Sequence, residues 1–194
     1  MSGSLDKRLF WAALIGRPAA SVLRTVRRDL ALAEADVKWA RDDHFHMTLA
    51  FLSAQKSERV APALRAGVEA ARFFPFFRMR FNCLGAFPDW KRPKILWAGL
   101  SEGAATMKSL AAGLRDRLAR EGFALEQRPF VAHATLGRVR SAKNSRALAD
   151  RAERWRTPET WTGAVCGVES MTLFESRLGP AGPIYLPLGE AKLA

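Results

Sequence analysis

Hydrophobic positions along the chain alternate between two spacings, one suited to strands and one to helices. Residues 8–14 are a nearly continuous apolar run of strand length, whereas Val22, Leu23, Val26 and Leu30 recur every three or four residues and predict an amphipathic helix over 18–32. Residues 37–41 lead into a strand over 46–52, and a second helix follows over about 58–72. Residues 76–84 set Phe77, Met79, Phe81 and Cys83 against Arg78, Arg80 and Asn82, predicting a half-buried strand with a basic outer face. Residues 85–93 read as a connection punctuated by Gly85, Pro88 and Pro93. A strand over 95–100 and a long helix over 104–121, closed by Gly122, come next. A strand over 131–139 then gives way to a basic, less regular stretch through Trp155 and a final set of strands, clearest over 170–175 and 184–188.

This succession, with a similar series beginning near Phe76, predicts an internal duplication within one two-lobed domain spanning 1–194. The fold expected is α+β: two mainly antiparallel sheets form a central cleft, and helices pack outside. Two strands repeat one four-residue pattern, His46-Met47-Thr48-Leu49 and His133-Ala134-Thr135-Leu136. Alternate side chains of a strand share a face, so each copy offers an imidazole beside a hydroxyl while the apolar neighbours serve the other face. Met47, Leu49 and Phe51 would then face the helices on one sheet, and Ala134 and Leu136 on the other.

Two histidines across a cleft supply an acid and a base together, because imidazole titrates near pH ~6.5. The threonine hydroxyls can donate to non-bridging phosphate oxygens and hold a phosphorus between the rings. Neither motif carries an acidic neighbour in its strand, so no metal and no other cofactor is expected. One such motif alone would be an ordinary half-buried histidine; two copies in corresponding strands point to catalysis. Serine and cysteine nucleophile patterns and glycine-rich nucleotide loops are absent from the sequence.

Composition narrows the partner. With 31 Lys and Arg against 19 Asp and Glu, the formal charge is +12, a field that draws polyanions. The apolar run near the N-terminus falls far short of the roughly 20 residues of a membrane span and reads as a first core strand rather than a signal peptide. No membrane association is expected. Cys83 and Cys166 form neither a CxxC nor a paired framework, which suits a reducing, cytoplasmic setting and buried structural roles. A monomer is expected.

The chain resembles the LigT-like RNA 2′,3′-cyclic phosphodiesterases of the two-histidine phosphoesterase superfamily. The likeness runs through Arg8-Leu9-Phe10, Trp39, both histidine motifs, Gly85-Ala86-Phe87-Pro88, Arg92-Pro93, Leu96-Trp97-Ala98-Gly99, Arg128-Pro129-Phe130, Leu173-Phe174-Glu175-Ser176, Gly182 and Tyr185. It implies a metal-independent hydrolase that opens a terminal cyclic phosphate of RNA, or of a small cyclic-phosphate nucleotide, to a 2′-phosphomonoester, with a reversible 2′-5′ ligase activity. It also implies His46 as general acid and His133 as general base, with Thr48 and Thr135 holding the phosphate. His44 stands where the family more often has asparagine.

Phe51 and Arg138, each five residues after a motif histidine, complete the substrate-binding candidates. Strict alternation turns both from the cleft. For Phe51 that is ordinary core packing, but a charge facing the helix layer is costly unless paired. A bulge at Gly137 would re-aim Arg138 toward the phosphate. Arg78, Arg80, Lys91, Arg92, Lys94, Arg138, Arg140 and Lys143 could form a track for an RNA strand, and Trp90 could stack a base or pack as a lid. The rival readings are a two-histidine enzyme acting on 2′-5′ linkages or small cyclic nucleotides, and a non-catalytic RNA-binding module.

Overall fold

The computed structural model describes residues 6–42, 45–179 and 182–194. His44 lies outside the described residues. The elements are β1 (Lys7–Leu14), α1 (Arg17–Ala31), β2 (Val37–Trp39), β3 (His46–Gln55), α2 (Val60–Ala71), β4 (Phe77–Phe87), β5 (Ile95–Glu102), α3 (Ala104–Arg120), β6 (His133–Val139), α4 (Ser145–Ala152), β7 (Val165–Val168), β8 (Ser170–Gly179) and β9 (Gly182–Lys192). The strands form two wholly antiparallel sheets, ordered β3-β1-β8-β9 and β2-β6-β5-β4-β7.

Sheet membership cuts across the order of the chain. The first sheet joins the N-terminal β1 and β3 to the C-terminal β8–β9 pair, while β2 leaves its neighbours to edge the second sheet. Helices cross over as well: α1 packs against β6 and β7, and α2 against β8, β9 and α3. The reason lies in complementary faces. On α1 the buried stripe is Ala19, Ala20, Leu23, Val26 and Leu30, and on α2 it is the small residues Ala63, Ala66, Gly67, Ala70 and Ala71. That small-residue stripe makes room for Trp11, fully buried on β1, since a Cβ on Gly67 would lie 2.1 Å from the indole. One hydrophobic core links both sheets and their helices. A separate small cluster of Phe10, Ala12 and Phe174, with Tyr185 against it, lies on the opposite face of the first sheet.

Buried Glu175 ties β1 to β8: Lys7 Nζ and Arg177 Nε each lie 2.7 Å from its carboxylate. The hydrogen bonds from Arg177 and Lys7 hold its pKa down at about 2. Asp29 of α1 anchors the C-terminal part of the second lobe in a similar way, accepting from Arg151 on α4 and from the Trp155 indole, each at 2.7 Å.

Three elements differ from the sequence reading. The strand β4 runs on through Gly85 to Phe87, α4 occupies part of the stretch read as irregular, and β7 is a short edge strand. Bulges in the β4–β5 ladder, between Arg80 and Cys83, reverse the facing of the rest of β4. Leu84 and Ala86 therefore join the core, and Cys83, expected on the face of Met79 and Phe81, turns to the other side beside Gly99.

Candidate active site

Both histidine motifs open strands of different sheets, and those strands, β3 and β6, approach with Cα atoms within 8 Å. In each motif the apolar alternates are buried: Met47 and Leu49 in β3, Ala134 and Leu136 in β6. The histidines and threonines take the opposite, half-buried face. On the first sheet that face is the one lined by Phe10 and Ala12, because Ala12 pairs with Thr48. The His46 ring lies 5.3 Å from the rings of both Phe10 and Tyr185, edge-on to the latter.

Each motif strand then carries the same irregularity. In β3 the ladder slips between Trp11 and Ala12 of the partner, so Leu49 and Ala50 are both buried and the facing reverses. Phe51 is thereby on the cleft face, 49% exposed, with its ring 6.0 Å from that of Phe10. The expectation that Phe51 packs among the helices is corrected by this bulge. In β6 the slip falls between Leu96 and Trp97 of the partner, so Leu136 and Gly137 are both buried and Arg138 turns outward on the side of His133 and Thr135. The bulge inferred at Gly137 is present. Gly137 has no room for a side chain, since a Cβ there would lie 2.6 Å from Val37 and 2.9 Å from Trp39.

The guanidinium of Arg138 joins the two lobes electrically. Its charge acts on His133 of the second sheet and on Tyr185 of the first, whose phenol burial pushes upward in pKa while Arg138 opposes. The Arg138 charge is thus felt by groups of both sheets, and the Tyr185 ring in turn meets that of His46 edge-on. Sequence reasoning gave no role to Tyr185, Phe10 or Phe174, because aromatic residues in strands are ordinarily core. The signal that could have found them is the alternation of Phe10 with the buried Leu9 and Trp11, which sets that ring on the other face.

His133 is held more tightly than its motif suggests. Its Nδ1 lies 2.8 Å from the carbonyl oxygen of Val131. A carbonyl only accepts, so Nδ1 carries the hydrogen and the lone pair of the neutral ring is on Nε2. Phe87 meets the ring edge-on at 5.1 Å, and Trp97 lies at 6.2 Å. Burial lowers the His133 pKa, and the Arg138 charge adds to that effect against the Val131 hydrogen bond.

Other expected residues are less central. Trp90 packs against the core, and the guanidinium of Arg156 lies 4.7 Å from its ring. Arg80 pairs with Glu102 at 3.3 Å. Lys91 and Arg92 follow a turn in which the Asp89 carboxylate accepts their backbone N–H groups, and Lys38 on β2 is the register partner of Arg138. No group of three or more His, Cys, Asp or Glu placed to hold a metal ion occurs among the described residues. Likewise no described helix is long and apolar enough to cross a membrane.

Two antiparallel lobes that each bring an HxT strand to one cleft define a phosphoesterase of the two-histidine class. The chain belongs to the LigT-like phosphoesterase family, whose model matches residues 15–97 and 99–185. It is 34% identical over 172 residues to a protein of Aeropyrum pernix named RNA 2′,3′-cyclic phosphodiesterase, covering 89% of this chain and 95% of that one. A relative of the same name from Aquifex aeolicus is 32% identical over 154 residues, covering 79% and 80% of the two chains. Among solved structures, a Thermus thermophilus protein superposes with a TM-score of 0.77 at 26% identity, over 96% of this chain and 97% of that one. The fold of Escherichia coli LigT in its apo form also matches, with a TM-score of 0.79 at 24% identity over 98% and 99% of the two chains.

Proposed function

We propose that this protein hydrolyses RNA 2′,3′-cyclic phosphate ends to 2′-phosphomonoesters, using His133 as general base and His46 as general acid. The observation that supports the reading is the approach of β3 and β6, with Cα atoms within 8 Å, each turning its histidine and threonine to a half-buried face opposite its buried apolar residues. The names of the A. pernix and A. aeolicus relatives support the substrate class.

The steps follow from the groups present. Neutral His133 takes a proton from water at Nε2, and the nascent hydroxide attacks phosphorus in line with the 3′-oxygen. His46 gives that oxygen its proton as the P–O3′ bond breaks, leaving the phosphate on the 2′-oxygen. Thr48 and Thr135 donate to the non-bridging oxygens, and Arg138 neutralises the charge that grows on them. The aromatic walls formed by Phe10, Phe51, Tyr185, Phe87 and Trp97 exclude water and strengthen each of these interactions. The free thiols Cys83 and Cys166 fit a reducing, cytoplasmic setting.

The test is turnover of a short RNA ending in a 2′,3′-cyclic phosphate, in EDTA, by wild type and by His46→Ala and His133→Ala. Each variant is expected to lose at least about 10²-fold in kcat, in line with removal of an acid or base. Retained turnover in both variants, or a 3′-phosphomonoester product, overturns the assignment.

A further inference from the structure

The face of the first sheet that carries Phe10 and Tyr185 continues past them to a cation that the hydrolysis described above leaves unused. Arg8 precedes Phe10 by two residues in a β1–β8 ladder without register shifts, so the two side chains share a face, about 7 Å apart along the strand. Arg8 pairs with Ser176, and Ser176 pairs with Tyr185, which sets the three abreast on neighbouring strands. Lys7 and Glu175, one residue earlier in each strand, meet on the opposite face.

These surroundings leave the Arg8 guanidinium open to an anion. Glu175 is the one carboxylate on the two strands that flank β1, and Lys7 and Arg177 occupy it on the far side of the sheet. Arg8 is exposed, and no described residue gives its side chain a hydrogen bond or an ion pair. Half-buried Ser176 sets a hydroxyl beside it. The second lobe adds charge at the same end of the cleft. Arg138 acts on Tyr185, Lys38 is the register partner of Arg138, and a Cβ on Gly182, which opens β9, would lie 3.3 Å from the Lys38 ammonium.

We infer that Arg8 and Ser176 form a second phosphate site, which holds the phosphodiester on the 5′ side of the terminal nucleoside, an assignment resting on the phosphodiesterase reading of the cleft. A cyclic phosphate held between the histidines presents its ribose by the 2′,3′ edge, and the 5′-carbon leaves from the opposite edge of the ring. With the nucleoside lying along Phe10 and Tyr185, away from His46, its 5′-phosphate arrives at Arg8. A planar guanidinium grips two phosphate oxygens at once, and the Ser176 hydroxyl donates to one of them. A cyclic mononucleotide with a 5′-hydroxyl gains nothing here, whereas every RNA end carries the phosphate. The site thus selects RNA ends over small cyclic nucleotides and leaves the acid and base chemistry untouched.

The experiment uses the full chain and two substrates that differ by one group: adenosine 2′,3′-cyclic phosphate with a 5′-hydroxyl, and the same compound with a 5′-phosphate standing for the strand. Wild type should open the second with a kcat/KM at least about tenfold higher, mainly through KM, the gain expected of a charge-assisted contact. Arg8→Gln should remove most of that preference, while its kcat/KM for the 5′-hydroxyl substrate, which lacks the phosphate in question, stays within about twofold of wild type. Arg8→Lys keeps the charge without the fork and should restore part of the preference. Arg28→Gln removes the same charge from an exposed position on α1, behind the second sheet, and should keep the wild-type preference. Equal kcat/KM of wild type on the two substrates, equal slowing of both by Arg8→Gln, or as large a loss of preference in Arg28→Gln overturns the second site while the phosphodiesterase reading stands. A wild type inert on both substrates overturns both.

Discussion

Val131 decides which proton His133 carries, and burial, with the Arg138 charge added to it, makes a second one harder to gain. With Nδ1–H committed to the Val131 carbonyl, the ring presents a basic Nε2 whenever it is neutral. Burial and the Arg138 charge push the His133 pKa below its ordinary value near 6.5, so the base remains available at neutral pH. On the acid side, kcat/KM should accordingly fall only below the ordinary imidazole range, as His133 becomes protonated. Removing the nearby cation raises that pKa. Arg138→Ala should therefore move the acid limb to higher pH and lower kcat/KM by about 10- to 100-fold, the latter because the phosphate loses a charged donor. A pH profile identical to wild type would falsify the role given to Arg138. At this scale the histidines and threonines were legible, because a spacing of two in a strand is geometry written directly into sequence. The Val131 bond was not, since a backbone acceptor leaves no mark in residue type.

The elements show why two residues at matched positions were unequally readable. Arg138 betrayed its bulge, because a charge cannot face the helices cheaply and the adjacent glycine offered a way to turn it. Phe51 gave no such contradiction: an aromatic residue is at home in the core, and Leu49-Ala50 looks like unbroken strand. Gly85 misled in the other direction. It reads as a loop residue, yet it continues β4 beneath the Trp97 indole, where a Cβ would lie 2.2 Å from the ring. The short β7 and the arginine-rich α4, which buries only Leu148 and Ala152, carry too little hydrophobic pattern to stand out. Gly137 provides the test at this scale. Gly137→Ala puts a methyl against Val37 and Trp39 of the edge strand β2, so the edge must shift or the bulge must open. Overpacking of this kind costs about 1–3 kcal/mol, to be read by denaturant unfolding. Turnover should fall as well, because Arg138 is aimed by the same bulge; wild-type stability with wild-type turnover would show that the bulge positions nothing.

The whole molecule is interleaved in a way that no local pattern announces. The first lobe needs both ends of the chain, with β1 lying between β3 and β8, while Tyr185 from β9 supplies the ring that faces His46. Long-range pairing of this kind depends on which faces fit together, so the duplicated motifs indicated two lobes without revealing their membership. Net charge, in contrast, is a property of the whole chain visible in composition alone, and it makes a whole-molecule prediction. A surplus of 12 positive charges attracts an RNA along its backbone, whereas a cyclic mononucleotide presents only the phosphate at the site. If about two to three phosphates beyond the reacting one are neutralised, each contributing a salt slope near 0.7, then raising salt from about 50 to about 200 mM should increase KM for a short RNA about tenfold more than for the cyclic mononucleotide. The cyclic mononucleotide should change by less than about threefold under the same conditions, since it releases at most one counterion. Parallel salt responses would mean that the basic surface does not touch the strand and that the cleft recognises the terminal nucleotide alone. A steep response for RNA only would place the strand on the protein beyond the two histidines, with Lys38, beside Arg138, the first side chain to replace by glutamine in tracing its path.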